Sequence, residues 1–146
     1  MDQTNIGSKF YTSLLQFLLS AKQHIVEIGN DHGLSSIQAI TLLILEENVA
    51  CPMKKLGQLF HCDASNVTGI IDGLENKGLV MRVSDPKDRR IKTIAICPAG
   101  KKMQKTILNQ LSCNNGFLFD PLTADEAKQF IHIMAKLAPT KKPADC

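Results

Sequence analysis

The sequence predicts a mainly α-helical protein with a small β-hairpin, arranged as a winged helix-turn-helix between terminal helices that pair with those of a second copy. Three observations predict it. A long amphipathic stripe opens the chain, and two shorter ones close it. Between residues 63 and 100 a polar-faced helix, DASNVTGIIDGLENKG, runs into two β-rich segments, LVMRVS and IKTIAI. The basic turn DPKDRR joins those segments.

Each element can be justified in order. Over residues 9–29, Phe10, Leu14, Phe17, Leu18, Ala21, Ile25 and Ile28 recur every three or four residues, the spacing of one helix face. Gly29 and Gly33, with Asn30 and Asp31 between them, are expected to end that helix. Ser35 then opens a second helix with Gln38 three residues later, a capping box that satisfies two otherwise unpaired backbone donors. It continues through Ile40, Leu43 and Ile44 to Glu47, and residues 48–52 read as a loop. Met53, Leu56, Leu59 and Phe60 mark a short third helix, followed by a tight turn at His61 and Cys62.

Asp63 is the expected N-cap of the next helix, because a short side-chain oxygen there accepts from a free backbone N–H. Val67, Ile70, Ile71 and Leu74 cluster on its inner side. Ser65, Thr68, Gly69, Asp72 and Gly73 fall on the outer side, with Asn66 at the flank. Gly78 supplies a left-handed exit. Residues 79–84 and 91–96 then form a hairpin about the turn D-P-K-D. Pro98 suits the first turn of a helix carrying Met103, Ile107, Leu108 and Leu111, with a loop-like exit at Asn114, Asn115 and Gly116. Thr123 and Glu126 form a second capping box ahead of Phe130, Ile131, Met134 and Leu137, and the tail from Pro139 is expected to be disordered.

The chain has 146 residues, 44% apolar and 21% charged, which suits one domain with a real core. Its net charge of +3 is unevenly spread. Residues 1–52 carry two lysines against five carboxylates, residues 53–96 eight Lys or Arg against five, and residues 97–146 seven lysines against four. Positive charge therefore collects where the hairpin lies, as a nucleic-acid partner requires. Near the C-terminus, Lys101, Lys102 and Lys105 read as a solvated helix face. No apolar run approaches the ~20 residues of a membrane span, and the N-terminus lacks the pattern of a signal peptide, so a cytoplasmic protein that does not enter membranes is expected. Five cysteines, an odd number without a C-x-x-C pair, suggest neither a disulfide framework nor a zinc ribbon. Reduced thiols follow from the compartment.

Duplex DNA is the leading partner. A helix that enters the major groove needs short polar side chains near its N-terminus, since base edges lie deep and bulk would hold the helix off. Ser65, Asn66 and Thr68 meet that need, and Gly69 allows close backbone approach.

The stretch VTGIIDGLENKGLVMRVSDPKDRRIKTIAICPAG resembles the MarR family of bacterial transcriptional regulators almost position by position, and the resemblance extends more weakly to both chain ends. It implies roles for the hairpin. In the family an Asp and an Arg two residues later sit at its tip, the Arg entering the minor groove while the Asp orients it. Asp88 and Arg90 match them. Arginine suits a narrow, strongly negative groove because its guanidinium loses water readily. Lys87, Arg89 and Lys92 would then bind flanking phosphates. Many members carry basic residues where this chain has Gly69 and Gly73, which implies weaker phosphate contact from this helix, or closer approach.

The resemblance also implies a homodimer on a pseudo-palindromic operator, usually a repressor, often released by a small aromatic or lipophilic effector. No effector residue follows from it. In this reading residues 1–34 and 98–138 are dimerisation helices, 35–97 the DNA-binding region and 139–146 a tail, all in one structural domain.

Two other readings stay open. One is a thiol switch on the same scaffold, acting through Cys62, Cys97 or Cys113. The oxidant sensor of some members, a Cys in the first long helix, has no counterpart here. The other is a winged helix that binds a protein. Zinc-responsive members carry a His pair on the helix after the hairpin, which this chain lacks, and His24, His32, His61 and His132 are scattered, so neither metal nor cofactor is expected. No G-x-S-x-G, H-E-x-x-H or phosphate-loop pattern points to an enzyme.

Overall fold

The structure is a computed structural model that describes residues 3–113 and 120–137. The chain divides into two compact units, Met1–Cys113 and Asn114–Cys146. The exit expected at residues 114–116 and the tail from residue 139 lie outside the described residues.

The first unit holds five helices and one sheet: α1 (Gln3–Asp31), α2 (Ser36–Ile44), β1 (Cys51–Pro52), α3 (Met53–Phe60), α4 (Ala64–Asn76), β2 (Val80–Ser84), β3 (Lys92–Ile96) and α5 (Pro98–Cys113). The second unit contributes α6 (Ala124–Leu137). The small antiparallel sheet has the order β1-β3-β2, so β3 is central. Its register places Arg82 opposite Ile94, and Cys51 opposite Ile94 on the other edge.

Three boundaries differ from the sequence expectation. Helix α1 starts well before residue 9 and runs through Gly29. Gly29 stays helical, and its carbonyl accepts from both His32 and Leu34. The helix ends at Asp31, and the chain turns away at Gly33, whose φ of +67° is a conformation that favours glycine. Helix α2 ends at Ile44 rather than Glu47, with Leu45 extended. The carbonyls left over at that end are taken by a side chain distant in sequence: Gln104 Nε2 of α5 donates to Leu42 O and Leu45 O, each at 2.8 Å. The segment read as a loop at residues 48–52 ends in strand β1, a third strand recruited because β3 has a free edge beside it. Two residues are too few for period-two alternation to reveal.

The expected caps are present. Ser35 and Gln38 form the capping box of α2, and Thr123 and Glu126 form that of α6. The Thr123 N–H and hydroxyl hold the Glu126 carboxyl below the usual carboxylate range. Pro98 opens α5. The core of the first unit joins all its layers, with Leu42, Leu56, Ile71, Leu74, Ile94 and Ile107 buried to within 1%. Helix α1 contributes Ile28 at its C-terminal end. Nearer its start Phe10, Leu15, Leu18 and Leu19 are exposed, the last at 67%. In α6, Ile131, Ile133, Met134 and Leu137 are likewise exposed. Among the described residues no helix is long and apolar enough to cross a membrane.

Candidate nucleic-acid interface

Helices α3 and α4 are joined by a turn of three residues. His61 caps α3 in the left-handed region at φ 49°, its N–H and that of Cys62 reaching back to Gln58 O and Gly57 O. Asp63 then caps α4, its Oδ1 accepting from Asn66 N at 2.8 Å. Val67, Ile71 and Leu74 bury the inner face of α4. Ser65, Asn66, Thr68 and Gly69 are exposed together in its first two turns. The Thr68 hydroxyl donates to Ala64 O at 2.8 Å, so a partner meets its acceptor lone pairs and its methyl group. Around Gly69 nothing lies within 4 Å of where a Cβ would stand.

Gly73 does not join this face. A side chain there would overlap the Gln38 amide of α2, whose Oε1 is held by Ser35 N in the capping box. The residue is a close-approach point between helices, and this overturns its assignment to the outer side. The helical wheel placed it outward because the 3.6-residue period does not say where a neighbouring helix crosses.

The hairpin tip is ordered by two aspartates. Asp85 Oδ1 accepts from Lys87 N at 2.7 Å and Asp88 N at 3.2 Å, closing the turn through its side chain. Asp88 Oδ1 accepts from Arg90 N at 3.0 Å and Arg90 Nε at 3.1 Å, and Oδ2 from Nη2 at 3.2 Å. This two-pronged contact fixes the guanidinium plane while leaving the Arg90 side chain 92% exposed. Hydrogen bonds from the side chain and backbone of Arg90 hold the Asp88 carboxyl below its ordinary range. Lys87 and Arg89 are exposed on the same tip. Lys92 stands at its root, across from α3 and Thr68.

Arg82 is one of the eight Lys or Arg residues of segment 53–96, but its charge is paired. Its guanidinium pairs with Asp72 and with Glu75, both on α4. The hydrogen bond to Asp72 is the main cause of its raised pKa. Glu75 Oε1 also accepts from Arg82 N at 3.2 Å. The cluster ties β2 to α4, so the outward Asp72 is not a free charge either. Asp72 and Glu75 are three apart on one helix, which sequence shows, yet only the strand path brings Arg82 to them.

The remaining candidates do not converge on this surface as a set. Cys62 is half-buried against the core and Cys97 half-buried before α5, while the Cys113 side chain lies outside the described residues. Cys51, not singled out from sequence, has its thiol pKa pushed up by burial, which disfavours the reactive thiolate. His24 is buried, and His32 meets Gln110 of α5 at 2.7 Å. Among the described residues no cluster of three metal-ligating side chains occurs.

A tight helix-turn-helix with short polar side chains on its second helix, followed by a hairpin displaying a braced arginine, defines a winged helix-turn-helix protein. Residues 34–92 match the model of the MarR family. The HTH-type transcriptional regulator YwhA of Bacillus subtilis is 28% identical over 127 residues, covering 86% of this chain and 90% of YwhA. The crystal structure of MarR aligns with a TM-score of 0.75 at 25% identity, over 88% of this chain and 87% of that one. A mutant MarR from E. coli complexed with operator DNA aligns at 0.66 and 19% identity, over 95% of this chain and all of that one, a likeness of fold. Residues 34–92 thus resemble the MarR family, and the likeness to HTH-type transcriptional regulators extends over most of the chain.

Proposed function

We propose that this protein is a sequence-specific DNA-binding repressor that acts as a homodimer on a pseudo-palindromic operator. Ser65, Asn66, Thr68 and Gly69 enter the major groove, and Arg90, aimed by Asp88, enters the flanking minor groove. Lys87, Arg89 and Lys92 bind phosphates. The observation that carries this reading is the pairing of an exposed polar helix face with an exposed arginine whose plane is fixed by the two oxygens of Asp88. A guanidinium already oriented loses less freedom on entering a groove. The operator complex of a fold relative supports the choice of duplex DNA.

Residues 1–34 and 98–138 supply the dimer contacts in this reading, residues 35–97 contact DNA, and residues 139–146 are a tail. The apolar side chains exposed on α1 and α6 support a second copy as their cover. A small aromatic or lipophilic effector releases the dimer from DNA in the cytoplasm, as the family resemblance implies.

Selection of binding sites from a random duplex pool tests the reading. The protein is expected to return a two-fold symmetric motif, and Ser65→Ala or Thr68→Ala to change the preferred bases within each half. Arg90→Ala, at about 1–3 kcal/mol per contact and two contacts per dimer, is expected to weaken operator binding by roughly 2–6 kcal/mol. An unenriched pool, or full affinity in Arg90→Ala, would overturn it.

A further inference from the structure

Helix α5 grips the region assigned to DNA at several points along its first two turns. Where it begins, Cys97 N donates to Leu79 O at 2.9 Å, and a Cβ on Gly100 would stand 2.0 Å from that same oxygen. The helix is thus seated directly on the backbone that leads into β2. One residue on, Lys101 Nζ lies 3.4 Å from Asn48 Oδ1 and 3.7 Å from Glu47 Oε2, in the turn that follows α2. Asn48 itself is held in the left-handed region at φ 63°. A turn further, Nε2 of the buried Gln104 donates to both Leu42 O and Leu45 O. A methionine would fill much the same space, so what distinguishes the amide is its pair of N–H donors.

We infer that Gln104, backed by Lys101, is a positioning residue for operator binding: it fixes the angle at which α5 leaves the DNA-binding region, and with it the half-site spacing that the dimer accepts. The inference rests on the reading above, in which the far part of α5 belongs to the dimer contacts. Dispersion contacts between helices are many and non-directional, so packing alone lets one helix rock on another. Hydrogen bonds are directional, and one planar amide joined to two carbonyls admits little rocking. Leu79 and the end of α2 belong to different elements, so α5 is braced against both rather than hinged on one. Leverage makes the angle matter. The 16 residues of α5 span about 24 Å. A pivot of about 8° at the base moves the far end by about 3.4 Å, the rise of one base pair. A dimer carries the joint twice, so half that pivot in each copy suffices. The first two turns of α5 then move with the DNA-binding region, and Gln104 sets the direction in which the remainder points.

The experiment compares the full-length protein with Gln104→Met and Lys101→Ala. Each is titrated by fluorescence anisotropy, at one salt concentration, with the selected operator, with versions carrying one base pair more or one fewer between the halves, and with an unrelated duplex. Urea denaturation checks that each variant is folded. One added base pair shifts a half-site by about 3.4 Å and turns it by about 35°, so the parent is expected to prefer the selected spacing by about thirtyfold or more. Gln104→Met is expected to lower that ratio to about threefold, and Lys101→Ala, whose ion pair is partly exposed, to about tenfold. Affinity for the unrelated duplex should stay parental in both. Parental spacing ratios in both variants overturn the inference and leave the operator reading standing. So does an equal fold-loss on every duplex, the mark of a residue that only holds the fold together. Should Gln104→Met fail to fold, Lys101→Ala decides alone. A parental protein indifferent to spacing, or one that binds no duplex, overturns this inference together with the reading on which it rests.

Discussion

The winged region and the first half of α1 carry similar apolar side chains and treat them in opposite ways. Leu56, Ile71 and Ile94 are sealed from water by their own chain, while Leu15, Leu18 and Leu19 face outward. Along the predicted stripe of α1 burial rises toward the C-terminus: Phe10 and Leu18 are exposed, Leu14, Phe17 and Ala21 half-buried, and Ile28 buried. A helix of 29 residues spans about 43 Å, longer than a module of this size can cover. The contrast separates what folds one chain from what is left for another.

The largest expected effect breaks the contrast from the core side. Ile71→Ala removes fully buried atoms beneath α4 and should cost about 2–5 kcal/mol of stability in chemical denaturation. Leu18→Ala, on the exposed side, should leave the stability of dilute monomer nearly unchanged and instead weaken self-association in sedimentation equilibrium. Equal losses of monomer stability from the two changes would mean that α1 is covered within its own chain.

A smaller effect is expected from Arg82→Ala. The cluster with Asp72 and Glu75 is partly exposed, so its contribution to stability should be about 0.5–1 kcal/mol. Hydrogen exchange at β2 should nonetheless rise, because the helix-to-strand tie is lost. Unchanged protection at Val83 and Arg82's neighbours would show that the sheet register alone holds β2.

The smallest effect concerns the hairpin tip. Because the Asp88 carboxyl is held below its ordinary value, its pairing is fully present above about pH 4, the unperturbed range for Asp. It is lost as pH falls through the lowered folded value. A carbon-detected NMR titration should give Asp88 a midpoint below that of a free Asp, moving upward in Arg90→Ala. A midpoint unaffected by that change would mean that Arg90 does not brace the tip.

Local chemistry was legible in the sequence wherever cause and effect lie within a few residues. The capping boxes at Ser35 and Thr123, the Asp63 cap, the Gly78 exit and the Asp88–Arg90 spacing depend on side chains reaching backbone or neighbours nearby. So do the inner face of α4 and the hairpin, whose periods are set by backbone geometry. Tertiary structure alone decided the rest. It turned Gly73 toward Gln38, neutralised Arg82 against α4, recruited Cys51 and Pro52 as a third strand, and ended α2 with the amide of Gln104. Each of these depends on where two elements cross in space. Hydrophobic periodicity tells a segment which face to bury, but carries no record of the distant polar group that will meet its end.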